Sequence, residues 1–313
     1  MSSISTDLPP TSQRYKHIPL DKTKKEIRLV QIQPDSDDKT LQLVLKTAIL
    51  TQRNAEPESE NESESEFDPS SHVEPSPQVE SSSHVDLEDQ DSRNSVEPVG
   101  PSEPIAREVD DAGNEFIALS YMWGPETPSH DILIVDSSNT GWISIRQTLL
   151  DFLITRRHSA TQSPWFWIDQ LCINQEDDQE KGHQVNQMSQ LYSTATTVEV
   201  WLGLGFEGSD EAFDYMNQHI GTKWYDWPKQ ETSAHSSAFE RIANLPYWSR
   251  LWIVQEVFLG HNITIRLGDK ITSWRTGFEY VAKKSTSGLL HYLYVRSDER
   301  FFGYGNWGGT EKE

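Results

Sequence analysis

The stretch FWIDQLCINQ, residues 166–175, runs from apolar residues into Asp169, Cys172, Asn174 and Gln175: an acid, a thiol and two amides. Such a set can hold a sugar or nucleotide by hydrogen bonds, and the same groups can instead tie a loop to a neighbouring strand. A second carboxylate, Glu256, lies in RLWIVQEVFLG (250–260), where seven of the nine residues from Leu251 to Leu259 are apolar. A bare carboxylate is costly there unless it is paired, hydrogen-bonded or protonated. The run predicts a helix that is apolar nearly all round, and therefore buried, with Gly260 as its stop. Helical spacing sets Trp252, Gln255, Glu256 and Leu259 on one side. Arg250, Arg241 and Arg146 are the partners available for a purely structural ion pair. A third group ends FIALSYMWG (116–124), where Ser120, Tyr121, Trp123 and Gly124 follow a strand-like run. Tyr121, Trp123 and Trp252 can stack on a ring; equally, Trp123 can fill a core edge while Gly124 permits a bend.

Other chemistries fit less well. Asp169, Cys172 and His183 resemble parts of a thiol hydrolase, but nothing places His183 beside Cys172, and a lone cysteine near a strand end is a packing residue by default. His130, His158, His183, His235 and His261 show no ligand spacing, so no metal is expected. No GxGxxG follows a strand, which argues against an ordinary dinucleotide oxidoreductase.

The elements that must position these groups can be read from periodicity. IRLVQI (27–32) and LQLVLKTAIL (41–50), separated by the polar PDSDDK, predict a hairpin. Strands are expected at 116–124, at DILIVD (131–136), at WFWID (165–169) and at TTVEVWLG (196–203). Helices are expected from Arg146 to Arg157, from the acidic start Asp177–Glu180 through Ala195, and after Ser209 as a cap. ITIRLGDKITSW predicts a second hairpin, turning at Gly268 and Asp269. The alternation over 116–203 implies an α/β domain with a mainly parallel, doubly wound central sheet and flanking helices. In such sheets ligands bind beyond the C-terminal strand ends near a switch in strand order, where SYMWG and DQLCINQ would both lie.

Composition sets the wider frame. Of the net charge of −22 over 313 residues, residues 54–111 hold −16, with 18 acidic residues against Arg93 and Arg107. That tract is Glu-, Ser- and Pro-rich and repeats SSHVE (70–74) as SSHVD (82–86). It has too little apolar surface to offset chain entropy and is expected to be a disordered insertion. No basic stripe marks a nucleic-acid partner. One cysteine suits a reducing compartment, and neither a signal peptide nor a membrane-spanning run is evident, so a cytoplasmic location is expected.

FIALSYMWG, WIDQLCINQEDDQEKGHQVNQMSQLYSTATTVEVWLG and LPYWSRLWIVQEVFLG resemble the three sequence blocks of the fungal heterokaryon-incompatibility (HET) domain. YKHIPLDKTKKEIRLVQIQP is similar to the family's lead-in. The resemblance divides the chain into an N-terminal segment (1–14), a hairpin region (15–52), the acidic insertion (53–111), the domain core (112–275) and an extension (276–313). The insertion is a departure, as is a chain stopping soon after the third block, where many relatives continue, which leaves open whether the extension is truncated.

The resemblance implies a role in fungal nonself recognition and regulated cell death, with protein partners in incompatibility signalling and scope for homo-oligomerisation. HET domains also resemble TIR domains, with their flavodoxin-like sheet and, in several branches, NAD cleavage; RLWIVQE is similar to the helix start that carries the TIR catalytic glutamate. That carry-over selects Glu256 as catalytic, although Ile253 stands where the cysteine of that motif would be. Ser120, Tyr121, Trp123, Gly124, Asp169, Asn174, Gln175, Arg250 and Trp252 are the expected substrate-binding set. NAD enters as a candidate substrate and no cofactor is implied. Expulsion of nicotinamide needs no general acid because the ring is already cationic, so one carboxylate facing the sugar can suffice. The alternative is a non-catalytic signalling or interaction module on the same fold.

Overall fold

The computed structural model describes residues 13–34, 40–51, 115–124, 127–159, 163–219, 233–274 and 282. The chain divides into two units, residues 1–53 with 109–313, and residues 54–108. All described residues belong to the first unit, so the disorder expected of the acidic insertion and the structure of most of the C-terminal extension lie outside them.

Among the described residues nine strands form one sheet: β1 (Glu26–Ile32), β2 (Gln42–Ile49), β3 (Ile117–Tyr121), β4 (His130–Val135), β5 (Thr140–Ile145), β6 (Trp165–Trp167), β7 (Thr197–Trp201), β8 (Ile263–Leu267) and β9 (Lys270–Ser273). Their spatial order is β5-β4-β2-β1-β6-β3-β7-β8-β9. The helices are α1 (Gln147–Ser159), α2 (Asp169–Cys172), α3 (Asp178–Thr194), α4 (Ser209–Gln218), α5 (Ser233–Ala243) and α6 (Ile253–Leu259), with α3 packed on α6 and α4 on α5.

The sheet is mixed, which corrects the mainly parallel expectation. Four junctions are antiparallel (β1–β2, β1–β6, β4–β5, β8–β9), and the longest ladder, with seven register pairs from Glu26↔Ile49 to Ile32↔Leu43, is one of them. The physical reason is that short turns close antiparallel hairpins, whereas parallel pairs need long crossovers. Both predicted hairpins form, and a third, β4–β5, was not anticipated. The parallel geometry is concentrated in β6-β3-β7-β8. Within that group β6 and β7, consecutive along the chain, flank β3 on opposite sides, and this is the switch in strand order that positions a site.

The strands of this group are buried on nearly every residue, as expected where both faces are covered: Ala118, Leu119, Ser120 and Tyr121 in β3, and Val198 to Trp201 in β7. Phe152 of α1 bridges the sheet by edge-on contacts with Phe166 and Trp201, 5.6 Å between centroids in each case. Helix α3 starts as its acidic residues predict, with the Asp177 carboxylate accepting the amides of Gln179 (2.9 Å) and Glu180 (3.0 Å). Ser209 is not the cap of α4: Gly208 holds that position, and the serine hydroxyl accepts the Phe206 amide instead.

The predicted helix over 251–259 is shorter and less buried. Leu251 (78 % exposed) and Trp252 (50 %) precede it on the surface, and Gln255 is exposed while its neighbour Glu256 is buried. Apolar composition set the expectation of full burial, but a helix of under two turns packed on α3 presents one face to water. Gly260 follows it with φ −66°, so its role is space rather than a left-handed stop: a Cβ there would meet Val198 at 2.7 Å.

Candidate functional site

The site grows from three transitions in the chain: the turn that leaves β3, the step from β6 into α2, and the passage from a 3-10 turn into α6. Strand β3 delivers Ser120 and Tyr121, and the chain then turns through Trp123 to Gly124, whose φ of 79° is a left-handed conformation that glycine adopts without strain. Arg146 fixes that turn by donating to the Gly124 carbonyl (2.7 Å) while its guanidinium covers the Trp123 ring at 5.0 Å. Thr148 donates to the Trp123 carbonyl (2.9 Å). Strand β6 ends one residue before α2, so Asp169 is the first residue of that short helix. The loop after α2 folds back through the Gln175 amide, which donates to the Asp169 carbonyl at 2.9 Å. A 3-10 turn (Pro246–Ser249) and α6 supply Tyr247, Arg250, Trp252 and Glu256.

These transitions enclose a cleft of about 590 Å³, within the ordinary range for a small-molecule site. Trp123, Gly124, Asp169, Gln175, Arg250, Trp252 and Glu256 all line it, so seven of the ten residues expected from the sequence share one opening. The other three stand elsewhere. Ser120 is buried behind the wall and donates to Glu256. Tyr121 is buried with its hydroxyl donating to Gln170 (3.2 Å). Asn174 serves its own loop: its amide N–H donates to Glu180 (2.8 Å) and its side-chain oxygen accepts from Glu176 (3.2 Å).

The two carboxyl groups have different surroundings. Asp169 accepts the Trp123 indole N–H at one oxygen and the Gln170 amide at the other, both at 2.7 Å. Burial raises its pKa to about 6 against those two bonds, and the Glu256 charge pushes in the same direction as burial. Glu256, 2 % exposed, pairs with Arg250 at both oxygens: Nη2 to Oε1 at 3.0 Å and Nη1 to Oε2 at 3.1 Å. Ser120 adds a third donor at Oε2. Because that hydroxyl gives its proton to Glu256, the 2.5 Å contact with Tyr247 is donated by the tyrosine. A carboxylate offers about four lone-pair sites, so Oε1 keeps one for a ligand. Burial alone would lower the pKa of Arg250; the Glu256 carboxylate together with Tyr247 and Tyr192 opposes it, and the net shift is upward.

Cys172 is no nucleophile in this arrangement. It is buried, its sulfur accepts the Ile168 amide (3.3 Å), and burial pushes the thiol up to about 12. His183 contacts Gln187 instead. Among the described residues no group of three His, Cys, Asp or Glu is arranged to hold a metal ion, and no helix is long and apolar enough to cross a membrane.

Sequence reasoning missed the remaining walls: Met122, Ile173, Lys181, Val185 and Met188. Lys181, Val185 and Met188 fall at i, i+4 and i+7 of α3, so helical periodicity applied to that helix together with the strand ends would have found them. Nothing in LPYWS distinguished Tyr247 from the adjacent Trp248.

A mixed α/β sheet with two carboxyl groups in one cleft beyond the ends of parallel strands defines the class of this protein. Residues 116–256 match the family model described as Heterokaryon incompatibility protein (HET), a match that spans all three transitions from the start of β3 to Glu256, so this part of the chain is similar to HET domains. It is 37 % identical over 220 residues to Heterokaryon incompatibility protein 6, OR allele, of Neurospora crassa, a match covering 57 % of this chain and 31 % of that protein. The chain thus spans about a third of the length of the curated relative it matches. No solved structure matches it.

Proposed function

We propose that this protein acts in fungal nonself recognition and the cell death that follows it, and that its cleft binds and cleaves a nicotinamide dinucleotide with Glu256 as the catalytic carboxylate. The observation that carries the chemical part is the position of Glu256: buried, oriented by Arg250 and Ser120, retaining acceptor capacity at Oε1, and open to the same cleft as Asp169. The relative's name supports the biological part. In the reaction the bond between C1′ of the ribose and the ring nitrogen breaks, and its electron pair goes to the ring, which leaves as neutral nicotinamide. Positive charge builds on the sugar, and a carboxylate held nearby stabilises it. A water oxygen then bonds to C1′ and its proton leaves to solvent, giving nicotinamide and ADP-ribose. Trp252, half exposed at the rim, is the ring platform, and Asp169 and Gln175 position the sugar or carboxamide. A cytoplasmic setting and activation by a protein partner or by self-association belong to the same reading.

A second reading has its own support. The charge of Glu256 is already matched by a bidentate ion pair, which suits a cleft that holds a nucleotide as a signal without cleaving it. One experiment separates the two. Purified protein is incubated with NAD, at high concentration or with a crowding agent, and nicotinamide is measured for wild type and Glu256→Gln. Cleavage predicts release by wild type that the substitution abolishes. Binding of NAD without release by either protein overturns catalysis and leaves the signalling module.

A further inference from the structure

Arg250 and Ser120 hold Glu256, and a third side chain meets both of them. Tyr247 is buried and lines no part of the cleft. Its hydroxyl lies 2.5 Å from Ser120 Oγ, and the Arg250 guanidinium stands over its ring at 5.5 Å from the centroid. The ring is fixed in turn by its neighbour in the 3-10 turn: Trp248 meets it edge-on at 5.0 Å and donates its indole N–H to the Ile242 carbonyl of α5 (2.8 Å).

The direction of the hydrogen bonds follows from the proton count. An ionised Glu256 can only accept, so the single Ser120 hydroxyl proton goes to Oε2. Ser120 Oγ then accepts from Tyr247, and the donors run one way, from Tyr247 to Ser120 to Glu256. Burial pushes the phenol above its ordinary pKa and the Glu256 charge pushes it further, so Tyr247 keeps the proton it donates. Hydrogen bonds in such a row polarise one another, and a serine that accepts from a tyrosine is the stronger donor to the carboxylate. We propose that Tyr247 is a positioning residue, which acts through Ser120 to fix Glu256 at Oε2 and so holds the acceptor left at Oε1 in one place. The inference rests on the reading of Glu256 as the catalytic carboxylate and adds a residue that never meets the ligand.

The test is steady-state release of nicotinamide from NAD by the full chain, for wild type, Tyr247→Phe, Ser120→Ala and the double variant, with melting temperatures alongside. Tyr247→Phe keeps the ring against Arg250 and Trp248 and removes one oxygen. It is expected to lower kcat about tenfold, the effect of one buried hydrogen bond, with KM changed by less than about twofold. In the Ser120→Ala background the same substitution should change kcat by less than about twofold, because the path to Glu256 is already cut. Ser120→Ala also leaves the tyrosine hydroxyl buried without its acceptor, so adding Tyr247→Phe should raise the melting temperature while kcat stays low. A tyrosine that merely packs the turn would leave kcat unchanged or lower it equally in both backgrounds, and either result overturns the assignment while the reading of Glu256 stands. A double variant no more stable than Ser120→Ala overturns the row of donors itself. If wild type releases no nicotinamide, the catalytic reading fails and takes this inference with it.

Discussion

Arg28 with Glu180 and Arg250 with Glu256 are the same pair of side chains used in two ways. Both are bidentate, with Arg28, Glu180 and Glu256 buried and Arg250 half-buried, and with N–O distances of 2.5 and 2.9 Å in the first and 3.0 and 3.1 Å in the second. Around the first pair every remaining group is protein. Arg28 also donates to the Cys172 (2.9 Å) and Ile18 (2.6 Å) carbonyls, and Glu180 accepts the Asn174 amide. The pair locks β1 to the loop that follows α2, and both of its side chains are buried. The second pair lines a cleft, and its arginine keeps 17 % of its side chain exposed. A buried ion pair is therefore not in itself a sign of function. What distinguishes the second is an acceptor left over beside a space that can be filled.

That contrast can be broken by substitution. The largest effect is expected at the closed pair: Glu180→Gln or Arg28→Met strands a charge with no route to water and should cost about 3–5 kcal/mol of stability. In thermal unfolding this is a fall of roughly 10 °C or more for a domain of this size, and a fall under about 3 °C would show that the pair is not the lock described. Next comes Glu256→Gln. It should lower nicotinamide release by about a hundredfold or more, as loss of an electrostatic stabiliser does. Its melting temperature should fall far less than for Glu180→Gln, since Arg250 can regain water through the cleft; equal losses would erase the difference between the pairs.

Asp169 sharpens the comparison by pH. Its folded pKa of about 6 lies above the ordinary value of 3.8, so above pH 6 the charged form carries a cost in the folded state that is absent in the unfolded chain. As pH falls from about 6 to 4 the wild type should gain stability relative to Asp169→Asn, by about 1–2 kcal/mol after allowing for solvent at the cleft wall. A difference that stays flat across that window, in denaturant melts at matched ionic strength, would show that water in the cleft already solvates this group. The smallest effect is expected far from both pairs: removing residues 54–111 should leave the melting temperature within a few degrees, because loop closure depends only weakly on length. A fall above about 10 °C would mean that the tract packs on the rest of the protein.

How much of this was legible in the sequence follows from the range of the forces involved. The two hairpins and the start of α3 rest on local chemistry, polar turns between strands and an acidic cap, and they appear where expected. β5 escaped because TGWISI is mostly half-buried and lacks a clean alternation, and α5 because SAHSSAFERIA begins with a polar stretch. Which strands pair is decided by contacts far apart in sequence, so the insertion of the β1–β2 hairpin between β4 and β6 was not readable, and with it the true balance of parallel and antiparallel junctions. In the site, Asp169 and Glu256 were legible as carboxyl groups in apolar runs, which is unusual enough to mark them. The choice of Arg250 over Arg241 and Arg146 was not, because it depends on where the 3-10 turn before α6 aims each guanidinium; Arg241 lies over Phe206 and Arg146 over Trp123.

The hydrogen bond between Ser120 and Glu256 joins residues 136 positions apart in the chain. On a ribosome adding about 5–20 residues per second, the serine is made roughly 7–27 seconds before the glutamate that completes its environment. Until α6 emerges, the cleft lacks Arg250, Trp252 and Glu256 together, and any nascent or prematurely ended chain that stops short of them carries β1 to β7 without that carboxylate. On the proposed reading, the action of the protein waits until these residues are made, by the order in which its parts emerge.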